Sequence, residues 1–135
     1  FERDASLFYA SSHQAPFYPG TGGREERGIG GNIVNVPLSA GSGSSEFRQG
    51  WSTEILPALE EFRPELILIS AGFDAHVDDP LAGLGLRTED YAWVTSAIMQ
   101  VAGRVCGIVS ALEGGYDLDA LAASSAAHVR ALMRG

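Results

Sequence analysis

The sequence predicts an α/β fold: three layers, α-β-α, around a mostly parallel sheet. Three observations carry that expectation. Residues 6–10, Ile33–Leu38, 66–70 and 105–112 are short apolar runs of strand length. The stretches between the later runs repeat their apolar residues every three to four positions, which is the helical period. The runs alternate with these helical stretches instead of following one another, which favours parallel strands joined by crossovers.

The elements follow in order. Residues 6–10 (SLFYA) read as a buried strand that feeds a polar loop, Ser11-Ser12-His13. Residues 14–32 are dense in glycine and contain Pro16 and Pro19, so they form a long structured loop. Ile33–Leu38 is a second strand. Phe47, Trp51, Ile55, Leu59 and Phe62 trace a helix with Ser44 or Ser45 as its N-cap, and Pro57 inside it predicts a kink or break. LILIS, residues 66–70, is too short for a helix and reads as a fully buried parallel strand. Thr88 caps the next helix, whose first turn holds Glu89 and Asp90 and whose apolar face is Tyr91, Val94, Ile98 and Val101. A strand over 105–112 and a helix over 118–133 complete the pattern, so residues 1–135 read as one domain or part of one.

Composition narrows the function. The chain has 135 residues and a net charge of −8, and every basic residue is arginine. That balance argues against a nucleic-acid surface and suits a cationic substrate, or serves solubility alone. No apolar stretch is long enough to span a membrane and no leader pattern is present. The single cysteine, Cys106, has no internal disulfide partner, which points to a reduced, cytoplasmic setting. The chain starts at Phe1 and not at Met, so residues are expected to precede it.

In parallel sheets, sites form beyond the carboxyl ends of the strands. Asp74 lies four residues after Ser70, and Tyr116 four after Leu112, so both belong over one rim. Asp74 reads either as an oxygen ligand for a divalent metal, with His76 as a possible second, or as a turn residue. Asp78 and Asp79 before Pro80 read as turn chemistry, and His76 alone as a surface histidine. Gly114-Gly115 lets the chain turn sharply and offer the Tyr116 hydroxyl to an oxyanion; the alternative is a tyrosine packed under its own loop. Phe17 and Tyr18 form a binding wall or a small apolar cluster. Residues 19–23 look glycine-rich but lack the strand-to-helix setting and Lys-Ser/Thr ending of a phosphate loop.

The runs Ile69-Ser70-Ala71-Gly72-Phe73-Asp74-Ala75-His76, Asp79-Pro80-Leu81 and Leu112-Glu113-Gly114-Gly115-Tyr116-Asp117-Leu118 resemble the C-terminal part of the zinc-dependent histone deacetylase family. The resemblance is nearest to its class II and bacterial deacetylase or acetylpolyamine amidohydrolase branch. Ser11-Ser12-His13, the run from Phe17 to Gly22, and Asn35-Val36-Pro37-Leu38 match in the same order. The resemblance implies an arginase/deacetylase-like fold and hydrolysis of an acetylated amine, acetyl-lysine or acetylpolyamine, to acetate and free amine. It makes Asp74 a zinc ligand and Tyr116 the catalytic residue that polarises the acetyl carbonyl. Phe17, Tyr18, Leu81, Gly114 and Gly115 would contact the substrate. Ser11 and Ser12 would help hold a potassium ion, and carbonyls of Phe1, Asp4, Leu7 and Asn32 a second.

The departures matter as much. The family's Asp-x-His motif and tandem histidines are absent, and His13, His76 and His128 stand in other contexts. The expected partners are therefore an acetylated cationic substrate and the missing N-terminal half or another copy of the chain, and the isolated chain is expected to be inactive. A catalytically silent binding or assembly fragment is the rival reading. An arginase-like two-metal hydrolase would need more aspartates than Asp74, Asp78 and Asp79 provide.

Overall fold

The computed structural model describes residues 2–103 and 106–134. It contains β1 (Tyr9–Gln14), β2 (Ile33–Leu38), α1 (Ser44–Gly50), α2 (Leu56–Phe62), β3 (Leu66–Ala71), α3 (Thr88–Ala102), β4 (Gly107–Leu112) and α4 (Leu118–Leu132). A π turn, Trp51–Ile55, joins α1 to α2, and a 3-10 turn, Ile29–Gly31, precedes β2. The strands form two parallel pairs, β1 with β2 and β3 with β4. This is the α/β architecture with parallel strands that the alternating pattern predicts.

The first strand lies later than the apolar run suggested. Apolar character marks residues 6–10, but the ladder runs from Tyr9↔Ile33 to Gln14↔Leu38, so Ser11, Ser12 and His13 are strand residues and not a loop. Their polar groups are satisfied where they stand. Ser12 Oγ accepts from Trp51 Nε1 at 3.0 Å, and His13 Nε2 donates to the Gly22 carbonyl at 3.1 Å. The long glycine-rich loop thereby covers the β1–β2 face opposite the helices. Asn35, buried in β2, reaches the same loop by donating to the Gly23 carbonyl at 3.2 Å.

The helical segment is divided just ahead of Pro57, where the π turn Trp51–Ile55 gives way to α2. The π turn ahead of it carries a Leu56 N–H bond to the Trp51 carbonyl, and Pro57 falls in the first turn of α2, where its missing N–H costs least. The cap of α1 is Gly43, not Ser44 or Ser45. Ser44 is drawn instead to Asp90, whose Oδ2 accepts its hydroxyl at 2.6 Å. Asp90 Oδ1 also takes Arg48 Nε at 2.7 Å, and Oδ2 the Arg87 N–H at 2.9 Å, so α3 is capped at Arg87, one residue before Thr88. Burial disfavours this carboxylate, but Ser44, the Arg87 amide and Arg48 outweigh it and hold the carboxyl below its usual range.

Two cores result. Val36, Leu38, Phe47, Ile55, Ala71, Phe73, Leu84, Leu86 and Tyr91 make one, drawing on both strand pairs; Leu59, Ile67, Ile98 and Ala102 make the other. The strand LILIS is buried on one face only. Ile67 and Ala71 point into the cores, whereas Leu66 and Leu68 are exposed, as is Val109 of β4 beside Leu68. The expected full burial fails because helices cover only one side of β3–β4. The strand expected over 105–112 is β4 from Gly107 onward, and Val105 lies outside the described residues.

Candidate active site

The parallel register places Ala71 opposite Leu112, so the loops after β3 and β4 leave from neighbouring strand ends. They are stitched at once: Glu113 N–H donates to the Ala71 carbonyl at 3.0 Å and Phe73 N–H to the Gly114 carbonyl at 2.7 Å. Asp74 is half-buried, and its carboxylate rests on glycine backbone. A Cβ built on Gly114 would stand 2.5 Å from Asp74 Oδ2, and one on Gly72 would stand 3.1 Å from Oδ1. Gly115 has φ +141, and a Cβ there would meet Leu121 Cδ1 at 2.8 Å. Glycine at 114 and 115 is therefore what allows the chain to pass Asp74 and reach Tyr116.

Phe73 locks the base of this arrangement. It is buried edge-on to Tyr91, with ring centroids 5.1 Å apart, and its carbonyl accepts the Tyr91 hydroxyl at 3.1 Å. Burial first, and then the charges of Asp74, Asp79 and Asp90, push the Tyr91 phenol far above its ordinary value, so it stays a donor. Tyr116 is 56% exposed, which does not fit a ring packed under its own loop. Phe17, Leu81 and Tyr18 are exposed, Tyr18 at 92%. The loops bearing them are tied together through Gln14, whose Oε1 accepts the Gly83 N–H at 2.7 Å.

Asp79 makes the turn bond expected of it and a second, longer-range one. It is a turn aspartate, as expected, and it is buried. Its Oδ1 accepts the Leu81 N–H at 2.9 Å and its Oδ2 the Tyr116 N–H at 2.8 Å. The first bond is local and legible in Asp-Pro-Leu; the second spans 37 residues and leaves no mark in the sequence. His76 likewise is buried and not a surface histidine. It stacks on Tyr91 with Nδ1 accepting the Asp78 N–H at 3.2 Å and Nε2 facing Thr88 Oγ1 at 3.4 Å.

The chain's histidines are all committed. His13 Nδ1 faces Ser11 Oγ at 3.0 Å while Nε2 bonds Gly22. His128 lies between Thr95 Oγ1 at 2.7 Å and Ser110 Oγ at 2.9 Å. Thr95 spends its proton on the Tyr91 carbonyl, so His128 Nδ1 is the donor and Nε2 the acceptor from Ser110. Burial lowers the His128 pKa and keeps the ring neutral. Among the described residues no group of three or more His, Cys, Asp or Glu side chains could hold a metal ion. Asp74 is thus a single carboxylate, and these residues alone do not fit a zinc site.

The residues expected near potassium are partly assembled. The carbonyls of Asp4 and Leu7 converge on Asn32 Nδ2, at 3.0 and 2.9 Å, and the Asn32 main-chain carbonyl accepts the Tyr9 N–H. An amide donor, not open space, stands at that focus, while the buried Asn32 Oδ1 has no partner. Phe1 lies outside the described residues. The Ser11 and Ser12 side chains are engaged by His13 and Trp51, respectively.

Residues 1–132 match the histone deacetylase domain. The chain belongs to the histone deacetylase family. It is 42% identical to histone deacetylase 10, chloroplastic, of Oryza sativa over 138 residues, covering 98% of this chain and 31% of that protein. It is 45% identical to a probable deacetylase of Methanothermobacter thermautotrophicus over 139 residues, covering 98% of this chain and 40% of that protein. The HD domain of HDA15 superposes with a TM-score of 0.90 at 34% identity, over 99% of this chain and 39% of that one. The acetylpolyamine aminohydrolase of Burkholderia pseudomallei superposes at 0.87 and 29% identity, over 97% and 39%. The chain thus spans well under half the length of these relatives. No helix among the described residues is long and apolar enough to cross a membrane.

Proposed function

We propose that this chain supplies one wall of an amide-hydrolase site that removes acetyl groups from acetylated amines, acetyl-lysine or acetylpolyamine, releasing acetate and the free amine. The observation that carries the reading is the stitched rim: Asp74 cradled by Gly72 and Gly114, with a largely exposed Tyr116 two residues further along the same turn. The family's deacetylases and an acetylpolyamine aminohydrolase of the same fold support it.

In this reading the Tyr116 hydroxyl donates a hydrogen bond to the acetyl carbonyl oxygen and strengthens it as water adds and negative charge develops there. Phe17, Tyr18 and Leu81 flank the acyl chain. The family resemblance assigns Asp74 to a zinc ion and the Ser11–Ser12 segment to potassium. Because the described residues do not make a zinc site, the other ligands and the general base belong to a segment outside this chain or to a second copy of it. The net charge of −8 suits a substrate whose amine carries positive charge elsewhere.

The test is Tyr116→Phe in the full-length protein, turning over an acetyl-lysine peptide and an acetylpolyamine. Removing one oxyanion donor is expected to lower kcat about 100-fold or more with little change in KM. A variant that keeps more than half of the wild-type kcat sinks the assignment. A full-length protein that turns over neither substrate favours the silent binding fragment.

A further inference from the structure

We infer that Asp79 is the positioning residue for Tyr116 and Leu81, setting the reactive phenol and one wall of the acyl site from a single buried carboxylate. The inference rests on the reading of Tyr116 given above. Its physical basis is the way Tyr116 is held. The ring is 56% exposed, so packing does not fix it. The two residues before it are glycines, and Gly115 adopts φ +141, so no side chain of theirs helps to hold the approach to Tyr116. Between Gly114, held by the Phe73 N–H, and Asp117, the N-cap of α4, the Tyr116 main-chain N–H donates to Asp79 Oδ2 at 2.8 Å.

Asp79 is itself well placed to act as an anchor. It is 7% exposed, and its own N–H donates to the His76 carbonyl at 2.9 Å. Its other oxygen accepts the Leu81 N–H at 2.9 Å. Among the described residues it has no ion-pair partner, so two main-chain amides from two loops face its charge. A carboxylate can accept both at once. An amide in its place can accept only one, because its NH2 group would confront the other N–H. Moving Asp79 therefore moves Tyr116 and Leu81 together.

The experiment uses the full-length protein with Asp79→Asn, Tyr116→Phe and the double variant. Losing a hydrogen bond to a charged group is worth a factor of about 10 to 100, and Asp79→Asn is expected to lower kcat by that factor with KM within twofold. In the Tyr116→Phe background the same change should cost less than about threefold, since the hydroxyl it positions is gone. An equal loss in both backgrounds overturns the inference and makes Asp79 general scaffolding; an unchanged kcat in Asp79→Asn overturns it outright. Amide exchange in the wild-type protein gives a check independent of folding of the variants. The Tyr116 and Leu81 amides should be protected despite lying in loops, and free exchange at Tyr116 overturns the anchor. If Tyr116→Phe is fully active, the catalytic reading fails, and the anchor is judged by exchange alone: faster exchange at both amides in Asp79→Asn upholds it, and unchanged exchange overturns it.

Discussion

Replacing Gly114 with alanine adds one methyl group at the most sensitive point of the rim. Gly114 is not among the glycines with positive φ, so the substitution brings no backbone strain and its cost is contact alone. The new Cβ would stand 2.5 Å from Asp74 Oδ2 and 2.7 Å from Cγ. Non-bonded carbons settle at about 3.5–4.0 Å, so the groups must separate by about 1 Å. The carboxylate is the end of a short, rotatable side chain and yields more readily than the stitched backbone. Relieving such a clash costs the fold about 1 kcal/mol. The same displacement at a reacting centre costs about 100-fold in rate. The expected signature is therefore a small fall in the urea midpoint with a large fall in kcat/KM on an acetyl-lysine peptide, in the full-length protein. Gly107→Ala is the control: its Cβ would meet Leu66 Cδ1 at an ordinary 3.4 Å, and both measurements should stay near wild type. A Gly114→Ala protein within twofold of wild-type kcat/KM would falsify the claim that Asp74 must lie against this backbone.

Two further outcomes concern the framework beneath the site. His128 is kept neutral by burial, so as pH falls below 6.5 the unfolded chain takes up a proton that the folded one refuses, and stability present above that pH is progressively lost. Urea unfolding at pH 7 and pH 5 should show a steeper decline for wild type than for His128→Gln; parallel declines refute the assignment. Asp90→Asn should cost about 2–3 kcal/mol at neutral pH, because a buried charged acceptor for Ser44, Arg48 and the Arg87 amide becomes a neutral one. Since the folded Asp90 pKa is depressed, that difference should shrink only as pH drops through and below about 3.8, and a neutral-pH cost under about 0.5 kcal/mol would count against it.

Which features the sequence disclosed follows from how local their causes are. Ile33–Leu38 and LILIS are compact apolar runs between turn-forming residues, and both fold as strands. The helices over Thr88–Ala102 and Leu118–Leu132 carry their own period and caps, Asp117 Oδ1 accepting the Ala120 N–H at 2.8 Å. β1 was misplaced because its partners are remote. Ser12 and His13 are strand residues by virtue of β2, Trp51 and Gly22, none of which is a sequence neighbour. The equal offsets expected for Asp74 and Tyr116 do not hold, since from the paired ends Ala71 and Leu112 they stand three and four residues on. What the sequence does disclose is that the loops after β3 and β4 leave side by side from neighbouring parallel strands. Asp79 reads correctly as a turn residue, but its bond to Tyr116, like the burial of His76, is not legible because the partners, Tyr116, Thr88 and Tyr91, arrive from other elements.

The π turn between α1 and α2 sets the phase of an apolar stripe. Phe47, Trp51, Ile55 and Leu59 are each four residues apart. In an unbroken α-helix each such step overshoots one revolution by about 40°, so the stripe would wind about 120° around the axis over its length. A wider turn spends more residues on one revolution and winds the stripe back. One helical rod can then serve both cores, Phe47 and Ile55 facing one and Leu59 the other. The segment acts as a vernier, and its length counts for more than its composition. Deleting any one residue from Trp51–Ile55 would turn one half of the rod by about 100° against the other. Either Arg48 would swing away from Asp90, or Leu59 would leave Ile67 and Ile98.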